Sequence, residues 1–145
     1  MGIPWLFEAI IKHGKAFTVN EGKCIRSASH VKDVADVFVM LAEEALTPES
    51  TKVAWGEDAY HFVESDGYAL DEMAEAMGKL LAKKGLIGSE VVESISPDQV
   101  TTLHPWGALL WGRNMRVRAD RLRSLKWAPK QPWVYECLED MLPKH

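Results

Sequence analysis

Apolar residues recur at helical spacing in three long stretches of the chain. The first begins at Pro4, a residue suited to the first turn of a helix, and ends at Gly14. The second begins after Asp33, the predicted N-cap, and ends near Leu46, and the third ends at Gly85. The predicted inward-facing residues are Leu6, Phe7, Ile10 and Ile11 in the first helix, Val34, Val37, Phe38, Leu41 and Ala45 in the second, and Leu70, Met73, Ala74, Met77, Leu80 and Leu81 in the third.

Short β-prone segments lie between these helices. Residues 15–19 and 24–28 flank a turn at 20–23, and this arrangement predicts a β-hairpin. Residues 59–63 predict another strand, which ends in a turn at 65–67, and residues 91–95 are expected to be extended. Residues 47–58 are polar and loop-like, and Pro48 marks the break after the second helix.

The last third of the chain predicts shorter elements. Ser96, Pro97 and Gln99 are typical of a helix start, with a cap, a proline at the first helical position and a glutamine at the third. An apolar segment at 103–111 and a charged helix at 118–125 follow. A packed turn at 127–129 precedes a closing helix at 132–142, whose predicted inward residues are Val134, Cys137, Leu138 and Met141. The pattern predicts an α+β protein, mostly helical with a few short strands, and a single domain over residues 1–145.

Composition and charge narrow the classes of function. The chain has 145 residues, of which 47% are hydrophobic and 26% charged, with a formal net charge of -4. Because no basic run is long enough to follow a phosphate backbone, nucleic acid is not an expected partner. No apolar run approaches the ~18 residues that cross a membrane. Cys24 and Cys137 do not make a disulfide framework, so we expect a cytoplasmic protein.

Four separated segments match one family pattern in the same order and at similar spacing. They are residues 14–17 (GKAF), 30–36 (HVKDVAD), 60–64 (YHFVE) and 118–129 (RADRLRSLKWAP). Together they resemble the C-terminal, substrate-binding half of extended short-chain dehydrogenases, the NAD-dependent epimerase/dehydratase group, and especially its fungal and plant members. The resemblance covers nearly the whole chain. It implies the α+β substrate-binding subdomain of such an enzyme.

The chain also departs from this family. Lys126 stands where the family usually has glycine, and Ala69 stands where it usually has a Ser or Thr helix cap. The family's phosphate loop needs closely spaced glycines, and no two glycines here are separated by a single residue. The family's catalytic Tyr-x-x-x-Lys is also missing, because a glutamate lies four residues after each tyrosine. We therefore expect no NAD cofactor and no redox machinery within this sequence.

Nine residues are candidates for a site. His30 and His61 are the predicted acid–base residues, because imidazole moves protons near neutral pH. Each has a structural alternative: a backbone-bonded histidine for His30 and a solvent-facing one for His61. The predicted substrate-binding residues are Phe17, Arg26, Glu64, Trp106, Trp111, Arg113 and Arg116. The tryptophans serve equally well in a core, and the arginines serve equally well on a solvated surface. No HxxxH or HExxH spacing indicates a metal site.

Three functions fit this sequence. The first is a small-molecule binding domain derived from an epimerase-like dehydrogenase. The second is a cofactor-free isomerase, cyclase or lyase that reuses the substrate pocket for proton transfer. The third is a docking partner of a separate nucleotide-binding chain. Because the face that the family packs on its nucleotide domain would expose apolar surface, we also expect a homodimer.

Overall fold

The computed structural model describes residues 2–47, 49–50 and 52–143, with the backbone alone at Asp58. Pro48 lies outside the described residues. The α-helices are α1 (Gly2–His13), α2 (Val31–Ala45), α3 (Leu70–Lys83), α4 (Pro97–Leu103), α5 (Gly107–Gly112) and α6 (Asp120–Ser124). The strands are β1 (Phe17–Val19), β2 (Ile25–Ala28), β3 (Asp66–Ala69) and β4 (Glu93–Ile95). The α+β class, mostly helical with a few short strands, is confirmed.

Helix ends fall where local chemistry places them. Gly14 and Gly85 both have positive φ, +83° and +70°, as a residue that stops a helix in the left-handed region requires. The Ser96 hydroxyl accepts a hydrogen bond from the Gln99 amide, and the Gln99 side chain accepts one from the Ser96 amide. This capping box was predicted from the sequence, as was Ala69 at the N-cap of α3.

The predicted hairpin is wrong. β1 pairs in parallel with β4, in the register Phe17 with Glu93 and Val19 with Ile95, while β2 pairs with β3. The turn itself forms, since Asn20 and Gly22 both have positive φ, but it leads the chain away from β1. Phe17 and Val19 are both buried, and strands with covered faces are typical of parallel pairing.

Two other predicted elements differ from the structure. Residues 59–63 are not a strand. Their burial does alternate, since Tyr60 and Phe62 are exposed and His61 and Val63 are half-buried. The partner of β2 is β3 instead. The predicted closing α-helix is two short 3-10 helices, Val134–Cys137 and Glu139–Met141. Its apolar residues, at 134, 137, 138 and 141, have the spacing of an α-helix, so the local pattern does not distinguish the two kinds of helix.

The start of α2 also differs from the prediction. His30, not Asp33, is the N-cap, and its Nδ1 accepts a hydrogen bond from the Lys32 amide at 3.1 Å. Asp33 lies one turn further on and is fully buried. Its two carboxylate oxygens accept from the Lys130 amide at 2.9 Å and from the Ser65 hydroxyl at 3.3 Å. Asp33 therefore ties two loops to the helix. Phe38, predicted to face inward, is 70% exposed.

By internal contacts the chain divides into two compact units. Unit 1 comprises residues 1–26, 68–115 and 135–145, and unit 2 comprises residues 27–67 and 116–134. Among the fully buried side chains of unit 1 are Phe7, Ile10, Met73, Met77 and Leu81. The core of unit 2 contains Val37, Ala119, Leu122 and Trp127, with Met40, Leu41 and Val63 packed against it. A single domain over 1–145 stays a prediction.

Candidate functional site

Arg26 lies in β2, at the point where this strand is hydrogen-bonded to a segment of unit 1 that is distant in sequence. Arg26 and Met115 form an isolated parallel bridge. The Met115 amide donates to the Ile25 carbonyl at 3.0 Å, and the Ile25 amide donates to the Asn114 side-chain oxygen at 2.7 Å. These bonds hold residues 114–115 along the first half of β2 and fix the backbone from which the Arg26 side chain extends.

The Arg26 guanidinium is buried without an anionic partner. The residue is only 8% exposed. Its Nη2 donates to the Met115 thioether sulfur at 3.0 Å, and its buried Nη1 has no hydrogen-bond partner. Sulfur is a weak acceptor, and a buried cation is normally paired with a carboxylate or bound to another anion. Among the ion pairs of the described residues, none includes Arg26. A buried guanidinium in these surroundings is chemically suited to an anionic partner.

The Met115 side chain lies against this guanidinium, and methionine is a flexible side chain. Met115 is 53% exposed. Methionine has three rotatable bonds and adapts to irregular surroundings at low cost. Arg113, another predicted substrate-binding residue of unit 1, is exposed two positions earlier in the chain.

A row of aromatic and imidazole rings forms a second feature of unit 1. The Trp111 ring lies 6.0 Å from Phe17, edge to face, and 5.5 Å from His104. His104 in turn stacks on Trp5 at 5.0 Å. Phe17 and Trp111 are almost completely buried, whereas Trp106 is 64% exposed. Of the predicted substrate-binding residues, Phe17 and Trp111 are thus brought into contact, but as parts of a core.

His13 and Glu93 form a partly buried pair that the sequence did not indicate. The His13 Nε2 lies within hydrogen-bond distance of one Glu93 carboxylate oxygen, and Lys15 Nζ is 3.3 Å from the other. The hydrogen bond with His13 lowers the pKa of Glu93. The hydrogen bond with Lys15 and the positive charge of Lys15 lower it further. Eighty residues separate the two partners in sequence. Only the β1–β4 register, which is not evident from the local pattern, brings them together.

The predicted residues of unit 2 have varied surroundings. His30 caps α2, as described. Both ring nitrogens of His61 are buried without a hydrogen-bond partner. Glu64 pairs with Arg123 at 2.8 Å and accepts from the Ala119 amide at 3.4 Å, so it holds the start of α6. Arg116 is exposed. Their predicted roles toward a substrate stay predictions.

Asp66 is a half-buried carboxyl group of unit 2 whose surroundings raise its pKa. One carboxylate oxygen accepts from the Val134 amide at 3.2 Å, and the other is buried without a partner. Burial raises the pKa of Asp66, and the nearby charges of Glu64 and Asp33 raise it further, although the Val134 hydrogen bond acts in the opposite direction.

The predicted site residues are divided between the two units. Phe17, Arg26, Trp106, Trp111 and Arg113 belong to unit 1, and His30, His61, Glu64 and Arg116 belong to unit 2. In the residues that the structure describes, no three His, Cys, Asp or Glu side chains are grouped so as to hold a metal ion. None of the described helices combines the length and the apolar character that crossing a membrane requires.

The sequence is related to part of an enzyme. One related protein is Oxidase ucsJ of an Acremonium species, to which this chain is 31% identical over 146 residues. The match covers 96% of this chain but 42% of the oxidase, so the chain spans less than half the length of that relative. No family model matches the chain. No solved structure matches it either.

Proposed function

We propose that this chain is a small-molecule binding domain, derived from the substrate-binding half of an epimerase-like short-chain dehydrogenase, and that Arg26 holds an anionic group of its ligand. The observation that carries this proposal is the buried Arg26 guanidinium: among the described residues its Nη1 has no hydrogen-bond partner, and its Nη2 donates to the Met115 sulfur. Breaking a buried ion pair by removing one partner costs about 3–5 kcal/mol, because the remaining charge is uncompensated. An anionic ligand would supply the missing partner.

Arginine also fits the class of ligand. Its planar guanidinium binds carboxylate and phosphate through two parallel hydrogen bonds. A relative that is an oxidase supports descent from an enzyme that binds a small molecule. The ligand is therefore expected to be a small organic carboxylate or phosphate. The proton-transfer role of His61 and the docking role of the whole chain stay predictions.

The junction of β3 and α3 does not have the form of an NAD phosphate loop. A dinucleotide phosphate loop is a glycine-rich turn between a strand and a helix. β3 runs into α3 without any intervening loop, and Ala69 at the N-cap has no side-chain hydrogen bond. The sequence as a whole has no Gly-x-Gly. We therefore propose ligand binding without redox chemistry by this sequence.

Unfolding in the presence of simple anions tests the proposal. We expect phosphate and citrate to raise the free energy of unfolding in a saturable way, compared with chloride at equal ionic strength. A ligand at about 100 times its Kd would raise it by about 2.7 kcal/mol. The measurement is urea unfolding followed by tryptophan fluorescence, repeated over a range of anion concentrations.

Variants of the two residues sharpen this test. Arg26→Met should abolish the anion dependence without loss of basal stability, because a buried unpaired charge is replaced by an apolar side chain. Met115→Ala should strengthen anion binding by removing the cover. Lys79→Met, at an exposed cation of the same unit that is not a candidate binding residue, is the matched control and should retain most of the effect. An anion effect that survives Arg26→Met would refute the assignment.

A further inference from the structure

α2 carries a continuous apolar surface on the side away from its own core. We call this surface the outer face of α2. Its residues are all exposed, and they are Val31, Ala35, Phe38, Val39, Ala42, Ala45 and Leu46. Val31 is 74% exposed and Phe38 is 70% exposed. An exposed apolar patch of this kind usually marks an interaction site.

Apolar residues lie on two sides of α2, one against the core of unit 2 and one exposed. At about 100° per residue, Val37, Met40 and Leu41 lie on the side of the helix that packs on the core of unit 2, and Val39, Ala42 and Leu46 lie on the other side. The exposed charged residues Lys32 and Glu43 share a narrow strip with Asp36 between the two faces. A surface helix normally has a single apolar stripe, and a helix that is apolar on most sides is normally buried.

We propose that the outer face of α2 is the interface of a homodimer, in which it packs antiparallel against the same face of a second copy with Phe38 near the twofold axis. This inference rests on the exposed face and not on the ligand site. The sequence predicts a homodimer but not its interface, and this proposal adds the interface and the orientation of the two copies.

The order of side-chain sizes along the face fits this arrangement. Val31 and Ala45 lie seven residues before and after Phe38, so a twofold axis at Phe38 brings the valine of one copy against the small alanine of the other. Ala35 and Ala42 lie on either side of Phe38. Small residues at these positions let two helix backbones approach closely, and the two Phe38 rings fill the space between them.

The charges beside the face fit the same orientation. Lys32 lies six residues before Phe38 and Glu43 lies five residues after it, on the same flank of the helix. An antiparallel twofold arrangement therefore places Lys32 of each copy beside Glu43 of the other. Among the described residues, neither side chain has an ion-pair partner within its own chain, whereas Asp36 is already paired with Lys130 at 3.0 Å.

The mass of the chain in solution tests the proposal. Sedimentation equilibrium at about 100 µM should give about twice the 16.3 kDa of one chain. Phe38→Glu, at the centre of the interface, should weaken association by about 100-fold or more and give monomers. Because Phe38 is exposed within its own chain, the far-ultraviolet circular dichroism of this variant should be unchanged. Val91→Glu, an exposed apolar residue of unit 1, is the matched control and should remain dimeric.

Exchange of the two charges tests the orientation. Lys32→Glu and Glu43→Lys should each weaken the dimer by about three- to tenfold, because each creates two repulsive contacts. The double variant restores opposite charges and should recover the affinity. A monomeric wild-type chain, a dimer that survives Phe38→Glu, or a double variant no better than the single ones would overturn the proposal. Capture of the unmatched portion of Oxidase ucsJ by a monomeric chain through Phe38 would overturn it as well.

Discussion

At the scale of single residues, the structure shows which polar groups are in unusual surroundings. The sequence predicts that Arg26 is a binding residue, but only the structure shows that Arg26 is buried beside the Met115 thioether. Asp33 is the opposite case, since a residue expected to cap a helix is a buried acceptor for two loops. The sequence identifies residue types, whereas burial and partners depend on contacts made across about 90 positions of chain.

Lys126 is in a conformation that suits glycine. Its φ is +67°, and it follows α6 in a Schellman arrangement, with bonds from the Lys126 amide to Arg123 and from the Trp127 amide to Leu122. Lys126→Gly should therefore raise the free energy of unfolding by about 0.5–1 kcal/mol, because it removes the Cβ clash. Lys126→Ala keeps the Cβ and should give no gain. Urea unfolding of the three proteins would show a contradiction if alanine matched glycine.

Asp66 should give the chain a pH-dependent stability. Because folding raises the pKa of this carboxyl, its protonated form contributes stability that is full below the unfolded pKa of about 3.9 and is lost as pH rises through the folded pKa. Asp66→Asn resembles the protonated form and keeps an acceptor for the Val134 amide. The variant should be more stable than the wild type at pH 7, with a difference that shrinks toward acid pH. A difference that stays constant with pH would contradict this explanation.

At the scale of elements, the sequence predicts helices better than strand pairings. α1, α3 and the start of α4 follow from apolar spacing, glycine stops and a capping box, which are all local signals. The β1–β4 pairing joins residues that are far apart in sequence, and no local pattern distinguishes it from a hairpin. The exposure of Phe38 is a related case, because apolar spacing marks two faces of α2 and does not say which one is covered by the chain itself.

The capping box of α4 should contribute measurably to stability. Ser96→Ala removes the acceptor for the Gln99 amide and should lower the free energy of unfolding by about 1 kcal/mol. Ser96→Thr keeps a hydroxyl at the same position and should lose less than half of that amount. Equal losses in the two variants, measured by urea unfolding, would show that the hydroxyl bond is not the cause.

At the scale of the whole molecule, a relative and a buried arginine support the proposed function. The chain is related to 42% of an oxidase, and its buried, unpaired arginine is suited to an anionic ligand. The sequence could indicate Arg26 but not Met115, because no motif links two residues that lie 89 positions apart. For the same reason it could not show that the nine candidate residues belong to two compact units.

The most direct test of the central claim is the nuclear magnetic resonance signal of the Arg26 Nε–H group during a citrate titration. Assignment would come from the Arg26→Met variant, which lacks the signal. We expect the signal to shift progressively and to saturate, because the anion becomes the hydrogen-bond partner that the guanidinium lacks. An Arg26 signal that remains unchanged up to saturating citrate, while exposed arginine signals such as that of Arg113 shift, would contradict the account.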